Sequence, residues 1–246
     1  MDRRLEHDQG APRMATTTEE AARVWQRLGD FKPCWSDVPF PNYVYDQQQA
    51  QAIALGDLAL LDTYLRRNGK TLSQLRGTLE FGSGLTRGSD WLAHHAGQLT
   101  IADICLPHLL LTQERLKQLK QCMPINLHLV HLTNYWNNAA LPTVDLLYSI
   151  ISLQDDTPNV VAPALGLCLS KVAIGGLALI RAPTHHKHYE LMLPEERGIM
   201  ELHTIPQWKI FELMENNGFT LIAVQEEKNY GTQNIVFHTF FAHRRR

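Results

Sequence analysis

From Gly77 onward the chain alternates short apolar runs with longer segments in which apolar and charged positions recur at helical spacing. The short runs are Thr78–Phe81, Leu99–Ile104, Asn126–Leu132, Val144–Ile150, Leu177–Ala182, Phe219–Glu226 and Ile235–Phe241, and each reads as a strand. Helical stretches of about ten or more residues separate the first six. That rhythm predicts right-handed βαβ units and a mostly parallel sheet with helices on both faces. The link between the last two strands, containing Asn229, Gly231 and Asn234, is too short for a parallel crossover. The seventh strand must therefore run antiparallel to the sixth.

Upstream of Gly77 the pattern is different. Residues 1–18 read as a flexible leader, rich in charge and containing Gly10 and Pro12. Ala21, Ala22, Trp25 and Leu28 recur at helical spacing, Pro39 and Pro41 demand an irregular stretch, and a second helix covers Gln47 to Asn68 up to Gly69. The expected organisation is a leader (1–18), a helical lid segment (19–76) and a principal domain (77–246). Trp25, Trp35, Tyr43 and Tyr45 offer flat apolar surface for stacking on a ligand, or for docking these helices onto the sheet.

Composition narrows the function classes. At 246 residues, 44% hydrophobic and 20% charged, the chain suits one large globular α/β domain. A net charge of −2 gives no basic field for nucleic acid or an anionic membrane, and Arg244-Arg245-Arg246 reads as a short solvated tail. The four cysteines, Cys34, Cys105, Cys122 and Cys168, show neither metal-ligand spacing nor the density of a disulfide scaffold. The longest apolar run, Val160 to Ile180, is interrupted by Pro163, Lys171 and Gly175-Gly176, so it reads as helix, turn and buried strand. Arg3, Arg4 and Arg13 are followed by no apolar stretch of the kind a signal peptide needs. A soluble, cytoplasmic protein is expected.

The first strand of the principal domain runs into Glu80-Phe81-Gly82-Ser83-Gly84-Leu85-Thr86-Arg87-Gly88. Glycines at such a turn let backbone pass close under a ligand, and the following helix presents its positive end. The third glycine falls one residue late for the dinucleotide fingerprint, which disfavours an NAD-dependent dehydrogenase. Glu80 stands where an acid can meet the cationic end of a ligand or orient the loop. Asp103, at the end of the second strand, can accept both hydroxyls of a ribose, or cap the helix that follows.

Leu79 to Gly84, Asp103-Ile104 and the closing hairpin together resemble the class I S-adenosylmethionine (SAM)-dependent methyltransferases, over residues 77–246. Val144 to Ser149, Leu153-Gln154 and the stretch from Leu165 through Gly175-Gly176 to Ile180 fit the same pattern. Ala182-Pro183-Thr184 and Met200 to Pro206 resemble a bacterial small-molecule subgroup associated with glycan and secondary-metabolite pathways. The resemblance implies a Rossmann-like seven-stranded sheet with SAM as cofactor. It places Glu80, Gly82 and Gly84 beside the methionine part and Asp103 on the ribose, with Ser83, Ile104 and Ser149 lining the same site. The acid that reads the adenine amino group in this family has no plain counterpart, and Asn134 is the best substitute. Thr86 stands where a further glycine is usual, and Asp155 where the subgroup often has histidine.

Methyl transfer needs alignment above all, and a hydroxyl acceptor also needs a base, for which histidine is suited. His203 and His185 are the candidates; the latter belongs to a cluster with His186, His188 and Tyr189 after strand five. No carboxylate or cysteine partners that cluster at ligand spacing, so no metal is expected. His94-His95 read as helix surface, and His128 and His131 as strand side chains. The expected activity is transfer of a methyl group to a hydroxyl or amine of a small molecule, such as a sugar or natural product. The competing expectation is a catalytically silent methyltransferase-like scaffold.

Overall fold

The computed structural model describes residues 47–83, 88–120, 127–131, 141–150, 152, 158–185, 191–192, 202–231 and 236–246. The leader, the first helix, the four N-terminal aromatic residues, Gly84, Thr86, Asn134, Asp155, His186, His188 and Tyr189 lie outside these residues. Ten strands are described: β1 (Thr78–Phe81), β2 (Leu99–Asp103), β3 (Leu127–His131), β4 (Val144–Ile150), β5 (Val172–His185), β6 (Leu191–Met192), β7 (Leu202–His203), β8 (Ile205–Pro206), β9 (Phe219–Gly231) and β10 (Val236–Arg244). The helices are α1 (Gln47–Arg67), α2 (Ser89–His95), α3 (Leu106–Lys120), α4 (Pro158–Ser170) and α5 (Gln207–Asn216).

The main sheet has the order β3, β2, β1, β4, β5, β10, β9. The strands from β3 to β5 pair in parallel, whereas β10 pairs antiparallel with both β5 and β9. The last strand thus inserts between its two predecessors in space, which a short hairpin from β9 allows. β1 and β4 span the expected residues, and β2 ends one residue early, at Asp103.

Two expectations are corrected. Gly175-Gly176 do not precede the fifth strand but lie within it, because between the pairs Val144–Val172 and Leu146–Leu177 one residue of β4 faces four of β5 and the excess residues leave the ladder. Gly175 sits at φ 81° there, and Ile174 is 72% exposed. The arginine run is not simply a tail either. Arg244 ends β10 in register with Phe219 and donates to the carbonyls of Ser170 and Val172, while the Arg245 N–H donates to Gly218.

Alternation along the strands builds two cores. On one face, Leu146, Tyr148 and Ile150 of β4, Leu177 and Leu179 of β5, and Phe237 and Phe241 of β10 meet α1, α2 and α3. On the other, Leu79, Phe81, Leu147, Ala178, Ile180 and Phe240 meet α4 and α5 through Val160, Leu165, Leu169, Ile210 and Met214. Such two-sided burial explains why the central strands read as continuous apolar runs. Helix α1 shares the first core, with Leu58, Leu61 and Leu65 buried and Tyr64 stacked on Phe241 at 4.7 Å. Among the described residues, Cys105 and Cys168 are buried thiols outside any disulfide, and burial pushes the Cys168 thiol well above its ordinary range. No described helix is long and apolar enough to cross a membrane.

Candidate functional site

The strand order reverses between β1 and β4, since β1 leads outward through β2 to β3 and β4 leads outward through β5. In open α/β sheets a crevice forms beyond the carboxyl ends of the strands at such a point. Gly82, Asp103 and Ser149 all fall there.

Gly82 takes φ 69°, a left-handed turn that a side chain disfavours. Its N–H donates to the Ala102 carbonyl at 2.8 Å, carrying the β1–β2 pairing one step further. A Cβ on Gly82 would stand 2.1 Å from the Cβ of Ser152 in the segment after β4. Backbone from β1 and β4 therefore meets closely, and only glycine fits. The Ser149 hydroxyl donates to the Phe81 carbonyl at 3.1 Å, so its 2.6 Å contact with Ser152 is one in which Ser152 donates. Ser149 is buried, and these two contacts tie the ends of the two strands together.

Glu80 is fully buried on β1 and accepts a 2.5 Å hydrogen bond from Ser89 at the start of α2. Burial is the main cause that raises its pKa to about 7, opposed by the Ser89 hydrogen bond and the charge of Arg115. Arg115 reaches from α3 to Asp90 at 2.7 Å, bracing the two helices that flank this carboxyl. Asp103 is buried at the end of β2, and its Oδ1 accepts the Cys105 N–H at 2.8 Å. That contact, two residues along the chain, forms the turn leading into α3. Ser83 and Ile104 are buried beside these strand ends.

The two candidate histidines, His185 and His203, flank the pairing of β5 with β8. β8 pairs in parallel with Thr184 and His185, beyond Arg181, where the β4 pairing of β5 stops. β8 therefore continues the lane that β4 vacates. His203, two residues before β8, is 4% exposed, whereas His185 is half-buried. His94 and His95 are exposed on α2, as expected, and His131 lies on β3 in register with Asp103. No group of three or more metal-ligating side chains occurs among the described residues.

Two polar clusters escaped the reading of the sequence. His238 of β10 bonds to Thr184 through Nδ1 at 2.7 Å and receives the Gln207 amide on Nε2 at 3.0 Å, which fastens the β8–α5 corner to the sheet. Arg181 of β5, 1% exposed, donates to Asp57 of α1 at 2.5 Å, Thr239 at 2.8 Å and Glu227 at 2.9 Å. The signal for the second was present: one arginine inside an apolar strand, and one aspartate on the apolar stripe of a helix, each require a partner.

The sequence matches no family profile and no curated relative. Solved structures do match over nearly the whole chain. The Burkholderia thailandensis 1,6-didemethyltoxoflavin-N1-methyltransferase, with 1,6-didemethyltoxoflavin and S-adenosylhomocysteine (SAH) bound, is 16% identical with a TM-score of 0.64, covering 100% of this chain and 94% of that one. Magnesium protoporphyrin IX methyltransferase from Synechocystis PCC 6803, with SAH bound, gives 13%, 0.65, and coverage of 90% and 97%. The chain has the class I methyltransferase fold. The same fold is seen in the 4+2 cyclase SpnF, at 12% identity, a TM-score of 0.64 and coverage of 96% and 98%. Within the methyltransferase fold of this chain, the glycine turn, the two buried acids and the two histidines all occupy one end of the sheet.

Proposed function

We propose that this protein is a SAM-dependent methyltransferase that methylates a hydroxyl, or an amine, of a small molecule such as a sugar or other natural product. The observation that carries the reading is the meeting of Gly82, buried Glu80 and buried Asp103 at the ends of β1 and β2, beside the switch to β4. The structures of the toxoflavin-pathway and porphyrin methyltransferases, which share the fold, hold SAH.

The donor set suits that cofactor: a ribose needs a carboxylate at a strand end, and a methionine ammonium needs an acid near the glycine turn. Asp103 would hold the ribose hydroxyls. Glu80, Gly82 and Gly84 would lie beside the methionine part, Ser83 and Ile104 would line the same site, and Asn134 would stand at the adenine amino group. Ser149 would hold the turn from below. When bound, SAM supplies a methyl carbon already activated by a positive sulfur. The chain has then to orient the acceptor, exclude water and remove a proton, and positioning alone supplies roughly 7–11 kcal/mol in favourable systems. An imidazole nitrogen of His203 takes the proton of an acceptor hydroxyl, with His185 as the second candidate. Residues 19–76 act as the lid and 77–246 as the SAM-binding domain, and the protein works in the cytoplasm.

Isothermal titration with SAM and SAH, beside Asp103→Ala, tests this reading. Saturable binding by the wild type and its loss in the variant are expected. Absence of binding by the wild type would replace it with a silent scaffold, a reading favoured by Thr86 and Asp155 in place of the usual residues. SpnF carries this fold under the name of a cyclase, so an acceptor screen must follow SAM consumption as well as product mass.

A further inference from the structure

The end of the sheet opposite the crevice gathers cations from distant parts of the chain. Lys70, just after α1, donates to the Gly175 carbonyl, and Arg244, at the end of β10, donates to the carbonyls on either side of Lys171, those of Ser170 and Val172. Arg245 and Arg246 are tied to the Gly218 carbonyl through their N–H groups, and Arg67 closes α1 over the ring of Tyr64. None of these six side chains pairs with an Asp or Glu among the described residues, whereas Arg66 and Arg76 nearby are balanced by Asp62 and Asp145. Glu215 lines a cleft with Arg244 and Arg246 but forms an ion pair with neither. Burial, then the charges of Arg245 and Lys70, hold the His243 imidazole below the ordinary histidine range, so cations from the two ends of the described chain converge on one ring. The net charge of −2 conceals this field, because a sum carries no positions.

An apolar side chain stands within this field. Between Val172 and Leu177 the β5 chain leaves the β4 ladder, Gly175 takes φ 81°, and Ile174 is lifted to 72% exposure beside the carbonyl that Lys70 holds. Such bulges re-aim side chains, and the one turned outward here is aliphatic. The described aromatic side chains that are exposed, Trp208 and Phe211, lie in the first half of α5, toward the crevice end. Nucleic acid is read by an element that enters a groove or by aromatic rings that stack on bases, and this end presents loops and strand ends instead. A protein interface is built on an apolar core of several side chains, and here one isoleucine projects among cations. A bilayer asks for neither. Its negative surface attracts Lys and Arg in any orientation, and its headgroup layer admits an aliphatic side chain.

We propose that this end of the molecule is a docking surface for an anionic lipid bilayer, with Ile174 as the inserted anchor and the surrounding cations as its electrostatic collar. The contact is peripheral, and it leaves the crevice at the other end of the sheet facing water, open to dissolved ligands. The inference does not rest on the SAM reading above.

Co-sedimentation of the full chain with lipid vesicles tests the proposal. At roughly 0.1 M salt the protein is expected to bind phosphatidylcholine vesicles containing about 30 mol% phosphatidylglycerol and to ignore pure phosphatidylcholine. Raising the salt to roughly 0.5 M should release it, because the screening length shrinks. Arg67→Gln, Lys171→Gln and Arg245→Gln combined remove three charges while sparing the carbonyl contacts of Lys70 and Arg244. That variant should bind anionic vesicles about fiftyfold more weakly or worse. Ile174→Ser should weaken binding about fivefold by withdrawing the apolar anchor. Both variants should keep the wild-type thermal midpoint, since these side chains lie outside the two cores. Failure of the wild type to bind anionic vesicles, or equal binding to neutral ones, would overturn the docking surface. Retention of RNA or polyglutamate, with no binding to vesicles, would overturn the lipid assignment and give the surface to another partner. Binding by Ile174→Ser equal to wild type would overturn the anchor.

Discussion

Glu80 concentrates the physical chemistry of the site in one carboxyl. It is buried, its folded pKa of about 7 lies above the ordinary carboxylate value of 4.5, and its partner Ser89 is a neutral donor. A folded pKa raised in this way stabilises the protein while the group is protonated. The contribution is full below about pH 4.5 and is lost as pH rises through 7. Between pH 8 and pH 5 this one group should add about 2 kcal/mol to the stability of the ligand-free protein. Urea melts of wild type and Glu80→Gln at pH 5, 6, 7 and 8 isolate it, because glutamine keeps an acceptor for Ser89 and does not titrate. The difference between the two proteins should narrow or reverse toward low pH; parallel pH profiles would show that Glu80 titrates normally. If a cationic cofactor group settles beside Glu80, binding near pH 6 must also release a proton. Calorimetry in buffers of different ionisation enthalpy would register that release in wild type and not in Glu80→Gln.

Helix α1 and strand β5 show what a single element reveals in sequence and what it hides. Both were legible as elements: the helix from its spacing up to Gly69, the strand from its apolar run. Their junction was not, because pairing depends on which strand lies beneath which helix, and that is a property of the sheet order. Arg181 and Asp57 are separated by 124 positions in the sequence. The Gly175-Gly176 excursion inside β5 was hidden for a similar reason, since a turn and a bulged strand use the same residues and only the β4 register separates them. The buried pair makes a quantitative prediction. Asp57→Ala leaves a buried guanidinium short of its main charge partner and should cost about 3–5 kcal/mol. Replacing the whole cluster, Asp57→Leu with Arg181→Met and Glu227→Gln, removes the desolvation penalty along with the attraction and leaves no carboxylate without its cation, so most of that loss should be recovered. Denaturant melts of Asp57→Ala and of the triple variant make the comparison. If the triple variant is no more stable than Asp57→Ala, the charge cluster is not the element that keys α1 to the sheet.

At the scale of the whole molecule, the end of the sheet on which the site sits follows from strand order. The glycine turn, Asp103 and the antiparallel closing strand were readable from the chain, because each is a local pattern of residue types. The corner that gathers His203, His185 and His238 was not, because β8 is only two residues long and is a strand solely through its neighbour β5. A site assembled from so many elements couples ligand binding to global stability. A ligand that binds only the folded chain, present at a hundredfold its Kd, adds about 2.7 kcal/mol. For a domain of this size each kcal/mol moves the thermal midpoint by roughly 2–4 °C, so SAH should raise it by about 5–11 °C. SAM should do the same and NADH should not, because the third glycine is out of place for a pyrophosphate. Asp103→Ala should melt within a few degrees of the ligand-free wild type and fail to respond to SAH. A shift with NADH equal to that with SAH would mean that the crevice reads only the adenosine half the two share. That outcome would move the search for specificity away from Glu80 and toward the ribose and adenine contacts.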